Sequence, residues 1–156
     1  QMIGAGLDAA IVANLPLGLK RMLGRMAYVL QTLREAPRYG YPPITAVLDG
    51  IEEAVASIVV TKGHYYGGRF VLAPGAHPDQ RGFHVALLRN PGATSAMIAG
   101  AALPLGLFPY LPGVELRRVQ NVQLRGTAVH VQADGDSAGL LPVTIGDAAR
   151  PLRVLV

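Results

Sequence analysis

Apolar positions along this chain follow two different periods. Between Leu17 and Pro37, Leu19, Met22, Leu23, Met26, Val29, Leu30 and Leu33 fall on one face at about 100° per residue, while Lys20, Arg21, Arg25, Arg34 and Arg38 take the other. That spacing predicts a long amphipathic helix that stops at Pro37. After Pro42-Pro43 the pattern turns to strands: Ile44 to Asp49, Ile51 to Thr61, Arg69 to Ala73 and Phe83 to Leu88. Thr94 to Ala102 predicts a short helix capped by Thr94 or Ser95. Val114 to Leu124 and Thr127 to Ala133 read as arms of a hairpin around Arg125-Gly126, and Leu140 to Ile145 with Leu152 to Val156 close the sheet. Gln1 to Asn14 reads as a glycine-rich strand followed by a bend. The expected fold class is mainly β (α+β): a two-layer β-sandwich with one long amphipathic helix and one short helix.

Composition narrows this further. A chain of 156 residues suits a single domain that needs no metal or disulfide staple. At 51% apolar and 15% charged it is too apolar for a disordered chain. Its 19 Gly and 12 Pro imply many turns and short elements. With no cysteine, thiol catalysis and Cys-ligated zinc are excluded. A net charge of +4 suits anionic phosphates or an anionic membrane surface. No apolar run is long enough to predict a transmembrane span. The chain opens at Gln1 without a signal-peptide pattern, so an internal start within a larger protein is expected.

Candidate chemistry is sparse. The four histidines have no metal-ligand spacing, and no nucleophile elbow or Walker loop is present. Gly4 to Ala9, GAGLDA, matches a dinucleotide fingerprint only superficially, because three residues precede it and Pro16 breaks the helix that should come after it. Asp134-Gly135-Asp136 carries more. In an extended strand both carboxylates would point one way and converge on a proton or cation; the plainer alternative is an Asp-Gly turn between two strands.

Taken in order, the segments resemble one family. GAGLDAAIV (Gly4 to Val12), LKRMLGRMAYVL (Leu19 to Leu30), GHYYGGRFVLAPGAHPD (Gly63 to Asp79), VQADGDSAGLLPVTI (Val131 to Ile145) and the closing PLRVLV resemble the C-terminal domain of soluble bacterial diacylglycerol kinases and sphingosine kinase-like lipid kinases. The likeness covers nearly the whole chain.

The resemblance implies a two-domain kinase. Its N-terminal domain binds ATP through a GGDGT motif that does not occur here, and its C-terminal β-sandwich helps hold the lipid. The partner is then the protein's own N-terminal ATP-binding domain, and this chain alone is expected to be inactive. ATP and Mg²⁺ belong to the full-length enzyme, with no cofactor held by this chain. The family's DGE motif falls on Asp134, Gly135 and Asp136. Asp136 would accept the proton of the lipid hydroxyl, one methylene shorter than the usual Glu, with Asp134 as its partner or substitute. Asp8 stands near the headgroup; the place where the sphingosine enzymes carry the acid that pairs with the lipid amine falls near Ala10, two residues later, which favours a neutral diol over an amino alcohol. Met22, Met26 and Leu33 are candidates for acyl-tail contacts. Bacterial members also hold a structural Mg²⁺ in an acidic loop after the PGA segment; Asp79 is the one acid kept in Asp79-Gln80-Arg81-Gly82, and so the candidate metal ligand.

The expected function is therefore the lipid-binding half of an ATP-dependent lipid kinase acting on a diacylglycerol-like hydroxyl. Its expected place is the cytoplasm, in peripheral contact with the inner face of the membrane. The alternative is a non-catalytic lipid-binding or regulatory β-sandwich that keeps the kinase fold. Nucleic acid is not an expected partner, given 6% aromatics and no basic-aromatic strand pattern. Exposed edge strands make a homodimer an expectation as well.

Overall fold

The computed structural model describes residues 1–14 and 31–148. Among them, twelve strands form two main antiparallel sheets and a small hairpin. The strands are β1 (Met2–Ala5), β2 (Ile44–Leu48), β3 (Ile51–Val55), β4 (Ser57–Thr61), β5 (Tyr65–Tyr66), β6 (Phe70–Val71), β7 (Phe83–Leu88), β8 (Val114–Val119), β9 (Val122–Arg125), β10 (His130–Ala133), β11 (Asp136–Leu140) and β12 (Val143–Ile145). Helix α1 spans Leu7–Ala13 and α2 spans Ala93–Ala102. The larger sheet runs β11-β10-β1-β4-β7-β8, the smaller β12-β9-β2-β3, and β5 pairs with β6 apart from both. This is the expected mainly β sandwich.

Alternating apolar residues explain why two sheets stack. Ile58 and Val60 of β4, Val85 and Leu87 of β7 and Val131 of β10 face Ile44 and Ala46 of β2 and Val122 and Leu124 of β9, all buried. A pleated strand puts every second residue on the same face, so these rows form one dry layer between the sheets. At the open end of the sandwich, Glu53 of edge strand β3 meets Arg117 of edge strand β8, and Arg89 bridges Glu53 at 2.5 Å and Glu115 at 2.6 Å.

Several sequence expectations change at the joints. The run Ile51 to Thr61 is two strands in opposite sheets, broken at Ala56, whose N–H donates to Leu88 O at 2.9 Å. Val114 to Leu124 divides likewise into β8 and β9. Arg125-Gly126 is not a hairpin: β9 pairs with β2 and β12, whereas β10 pairs with β1 and β11. Leu140 to Ile145 is broken at Leu141-Pro142, leaving β11 and β12 in different sheets. After β1 the chain forms α1 rather than a simple bend, and Gly6 makes the corner at φ 110°. Helix α2 begins after Gly92 with no side-chain cap from Thr94 or Ser95. Of the long helix, residues 31–35 are described and helical; Leu17 to Leu30 and the final strand Leu152 to Val156 lie outside the described residues.

Candidate functional site

The outer face of the larger sheet is built differently from the inner one. The register aligns Gln132 of β10, Gly4 of β1, Val59 of β4 and Ala86 of β7 in one row across it. These are mostly small side chains, and they leave room. Above them α1, the β5–β6 hairpin, α2 and a 3-10 turn at Phe108–Tyr110 border an open cavity of about 1100 Å³. Val59, Leu72, Ala86, Leu103 and Phe108 supply apolar wall, and Asp8, Tyr66, Gln132 and Asp134 supply polar atoms. A largely apolar pocket with a few convergent polar groups suits an amphiphile.

The polar groups form one chain of hydrogen bonds. Tyr66 Oη donates to Asp8 Oδ1. Gln132 Nε2 donates to Asp8 Oδ2 at 3.0 Å, and the Gly135 N–H donates to Gln132 Oε1 at 2.8 Å. Gln132 is fully buried, so each end of its amide needs these partners. Burial pushes the Asp8 carboxyl above its usual value, while the hydrogen bonds from Tyr66 and Gln132 pull the other way without cancelling it. Gly4 makes the arrangement sterically feasible: a Cβ there would stand 2.5 Å from Asp8 Oδ2 and 2.7 Å from Gln132 Nε2. The first glycine of GAGLDA is explained by this close approach of side chains. Asp8, Tyr66 and Gln132 thus join three segments far apart in the sequence.

Asp134 and Gly135 form the two-residue turn between β10 and β11, with φ 48° and 88° and Ala133 paired to Asp136. Both residues are left-handed, as a type I′ hairpin turn requires. The turn is the plainer of the two sequence readings, and the extended arrangement with both acids side by side does not occur. Asp134 lines the cavity and accepts from the Met2 N–H at 2.9 Å. Asp136 is exposed on edge strand β11. Its pairing sets it on the face of Ala133, while Ser137 shares the face of Gln132. Among the other expected residues, Asp8 lies in the cavity wall. Leu33 is exposed, and Thr32 beside it lines the cavity instead. Met22 and Met26 lie outside the described residues. Tyr66 and Gln132 are the site residues that sequence reasoning missed. The YYGG and VQADGD segments were the available signal, without any sign that these two side chains meet.

The loop around Asp79 does not assemble a metal centre. Asp79 is exposed, and no group of three His, Asp or Glu side chains capable of holding a metal occurs among the described residues. The cation at this loop is the Lys62 ammonium, which donates to Gln80 O at 3.0 Å and pairs with the Asp147 carboxylate. Asp147 also accepts from the Gly82 N–H at 2.6 Å. An internal ammonium thus sits between the Gln80 carbonyl and the Asp147 carboxylate beside this loop.

Comparison with known proteins agrees with this architecture. The chain is 29% identical over 135 residues to a diacylglycerol kinase of Mycobacterium tuberculosis (strain ATCC 25618 / H37Rv), an alignment covering 85% of this chain and 44% of that protein. It therefore spans less than half the length of this relative. A crystal structure of a diacylglycerol kinase from Bacillus anthracis str. Sterne superposes with a TM-score of 0.61 at 17% identity, covering 93% of this chain and 48% of the other. A further solved chain from the same organism gives 0.64 at 20% identity, covering 92% and 47%. At such identities these two establish the fold. The model of the YegS C-terminal NAD kinase beta sandwich-like domain matches residues 1–156. Running the whole length of the chain, that match leaves no part of it unassigned, and the chain belongs to the family of YegS C-terminal NAD kinase beta sandwich-like domains.

Proposed function

We propose that this chain is the lipid-holding half of an ATP-dependent kinase that phosphorylates a lipid hydroxyl, with a diacylglycerol-like diol as substrate. The observation that carries the reading is the hydrogen-bond chain Tyr66–Asp8–Gln132–Gly135, which ties the wall of an apolar cavity to the hairpin bearing Asp134 and Asp136. The names of the relatives point the same way. ATP with Mg²⁺, held by the half of the enzyme that this chain lacks, supplies the phosphoryl group.

In this reading the cavity takes the acyl tails, the headgroup passes Asp8, and the reacting hydroxyl emerges at the edge of the sheet beside the β10–β11 turn. Asp136, exposed next to the turn, accepts the hydroxyl proton as the alkoxide oxygen forms its bond to the γ-phosphorus and the bond from that phosphorus to the ADP oxygen breaks. Asp8 and Gln132 hold the turn in register. Catalysis of this kind rests on positioning, and a displacement of about 1 Å costs on the order of a hundredfold. Because the donor is cytoplasmic, the enzyme works at the inner face of the membrane. No helix among the described residues is long and apolar enough to cross a bilayer.

The test is phosphate transfer by the full-length protein to short-chain diacylglycerol. Asp136→Asn is expected to lower turnover on the order of 10²–10⁴-fold with the fold intact. Wild-type-like turnover in that variant removes Asp136 from the mechanism, and loss in Asp134→Asn alone moves the base to the carboxylate that lines the cavity. One observation favours the alternative, a lipid-binding sandwich without chemistry: Asp136 shares the face of Ala133, opposite to Gln132. That alternative gains if the wild-type protein binds diacylglycerol and transfers nothing.

A further inference from the structure

From Pro91 to Gly113 the chain carries no charged residue. This stretch comprises α2, the loop after it and the 3-10 turn. One side of it builds the cavity: Ala96, Ala99, Leu103 and Phe108 line the wall. The other side is exposed and strongly apolar, with Leu105 at 70% and Tyr110 at 79% of full accessibility and Met97, Ile98 and Leu107 also out. A helix on a water-facing surface ordinarily carries charge on its outer side. Here the outer side is as apolar as the inner one, and exposed apolar side chains gathered on one uncharged segment mark an interaction surface.

We propose that the exposed side of residues 97–110 is the surface by which the protein enters the headgroup layer of a lipid bilayer. The inference rests on the lipid-kinase reading for its purpose and on the patch for its substance. Three features select a bilayer as the occupant. The patch and the cavity wall are two sides of one uncharged segment, so a lipid tail passing from hydrocarbon to cavity would meet no charged side chain of that segment. Tyr110, apolar in its ring and polar at its tip, suits the headgroup boundary. The β5–β6 turn, whose Gly67, Gly68 and Phe70 line the same cavity, carries the exposed cation Arg69, which suits anionic headgroups. A protein seated on the patch would instead cover the wall that faces the lipid source.

The experiment is co-sedimentation of the full-length protein with vesicles of phosphatidylglycerol and phosphatidylcholine. The wild type is expected to bind. The double variant L105S/L107S, altered only at exposed positions that do not line the cavity, is expected to bind on the order of tenfold or more weakly while melting at the same temperature. Ile51→Ser, equally exposed at the turn of the smaller sheet, is expected to bind like the wild type. Equal sedimentation of L105S/L107S and wild type overturns the proposal. So does a wild type that ignores vesicles and forms a dimer that L105S/L107S abolishes, because the patch is then a self-contact. Turnover separates this inference from the kinase reading. L105S/L107S should phosphorylate monomeric short-chain diacylglycerol normally and the vesicle-borne lipid poorly. A wild type that binds vesicles through this patch and phosphorylates neither lipid sinks the kinase reading and supports the docking face.

Discussion

The molecule contains the same turn twice. Asp49-Gly50 joins β2 to β3 with φ 50° and 89°, and Asp134-Gly135 joins β10 to β11 with φ 48° and 88°. Each aspartate accepts backbone N–H groups from another part of the chain. Asp49 takes Gln120 N at 2.9 Å and Asn121 N at 2.8 Å, and so pins the link where the chain leaves the larger sheet for the smaller. Asp134 takes Met2 N at the end of β1. The backbones match, but the surroundings do not. The first turn is followed by an exposed Ile51 and lies away from the cavity. The second is gripped through the Gly135 N–H by a buried glutamine, lines the cavity and is followed by Asp136. Turn geometry is therefore local and repeatable, whereas chemistry comes from what the fold brings up to the turn.

The residues after the two turns give the widest contrast. Loss of a hundredfold in turnover by Asp136→Asn corresponds to about 2.7 kcal/mol on the barrier, whereas Ile51→Asn, at the matching position of the other hairpin, should leave turnover unchanged. Steady-state kinetics on both variants checks the pair, and equal losses would dissolve the distinction. Next in size is Asp49→Ala, which deprives Gln120 and Asn121 of their acceptor. It is expected to lower unfolding stability by about 1–2 kcal/mol in urea titration, with turnover of the folded fraction preserved. The glycines come third. Gly50→Ala and Gly135→Ala each place a Cβ in the left-handed region at a cost of about 1 kcal/mol, and neither meets a neighbouring atom within 4 Å. Their thermal shifts should match, and only Gly135→Ala should reduce turnover.

The smallest effect is a pH dependence. Asp8 has a raised carboxyl value in the folded protein, so the folded state keeps this proton at pH values where the unfolded chain, near 3.8, has lost it. Stability then falls as pH rises from about 3.8 toward the raised value, and levels off above it. Asp8→Asn removes that slope. The stability of the variant relative to wild type should therefore improve with rising pH through this window, measured by urea midpoints across an acidic series. A difference independent of pH would show that the Asp8 carboxyl does not titrate differently on folding.

Much of this architecture is legible in the residues alone. The alternation at Ile44 to Leu48 and Phe83 to Leu88 marks strands where the structure has them, and Asp-Gly after the run Ala128 to Ala133 is readable as the turn of a hairpin at 134–135. The uncharged stretch through Ala93 to Ala102 is visible in the composition alone. The breaks at Ala56, at Gln120-Asn121 and at Leu141-Pro142 are not legible, because a period of two tells which face a residue takes and nothing about which sheet it joins. Leu33 shows the same limit on a helix: periodicity places it on the apolar face, and the cavity is lined by Thr32 instead.

What the sequence by itself determined is therefore local: strand and turn identity, the apolar sides of each element, the absence of charge along 91–113 and the order of the family motifs. Tertiary structure alone decided that Asp8, Tyr66 and Gln132 meet over the bare Cα of Gly4, and that an ammonium from Lys62 occupies the loop near Asp79. The reason is physical. Propensity and periodicity act over a few residues, whereas strand pairing and side-chain hydrogen bonds between positions as distant as Asp8 and Gln132 exist only once the sheets have closed on their shared core.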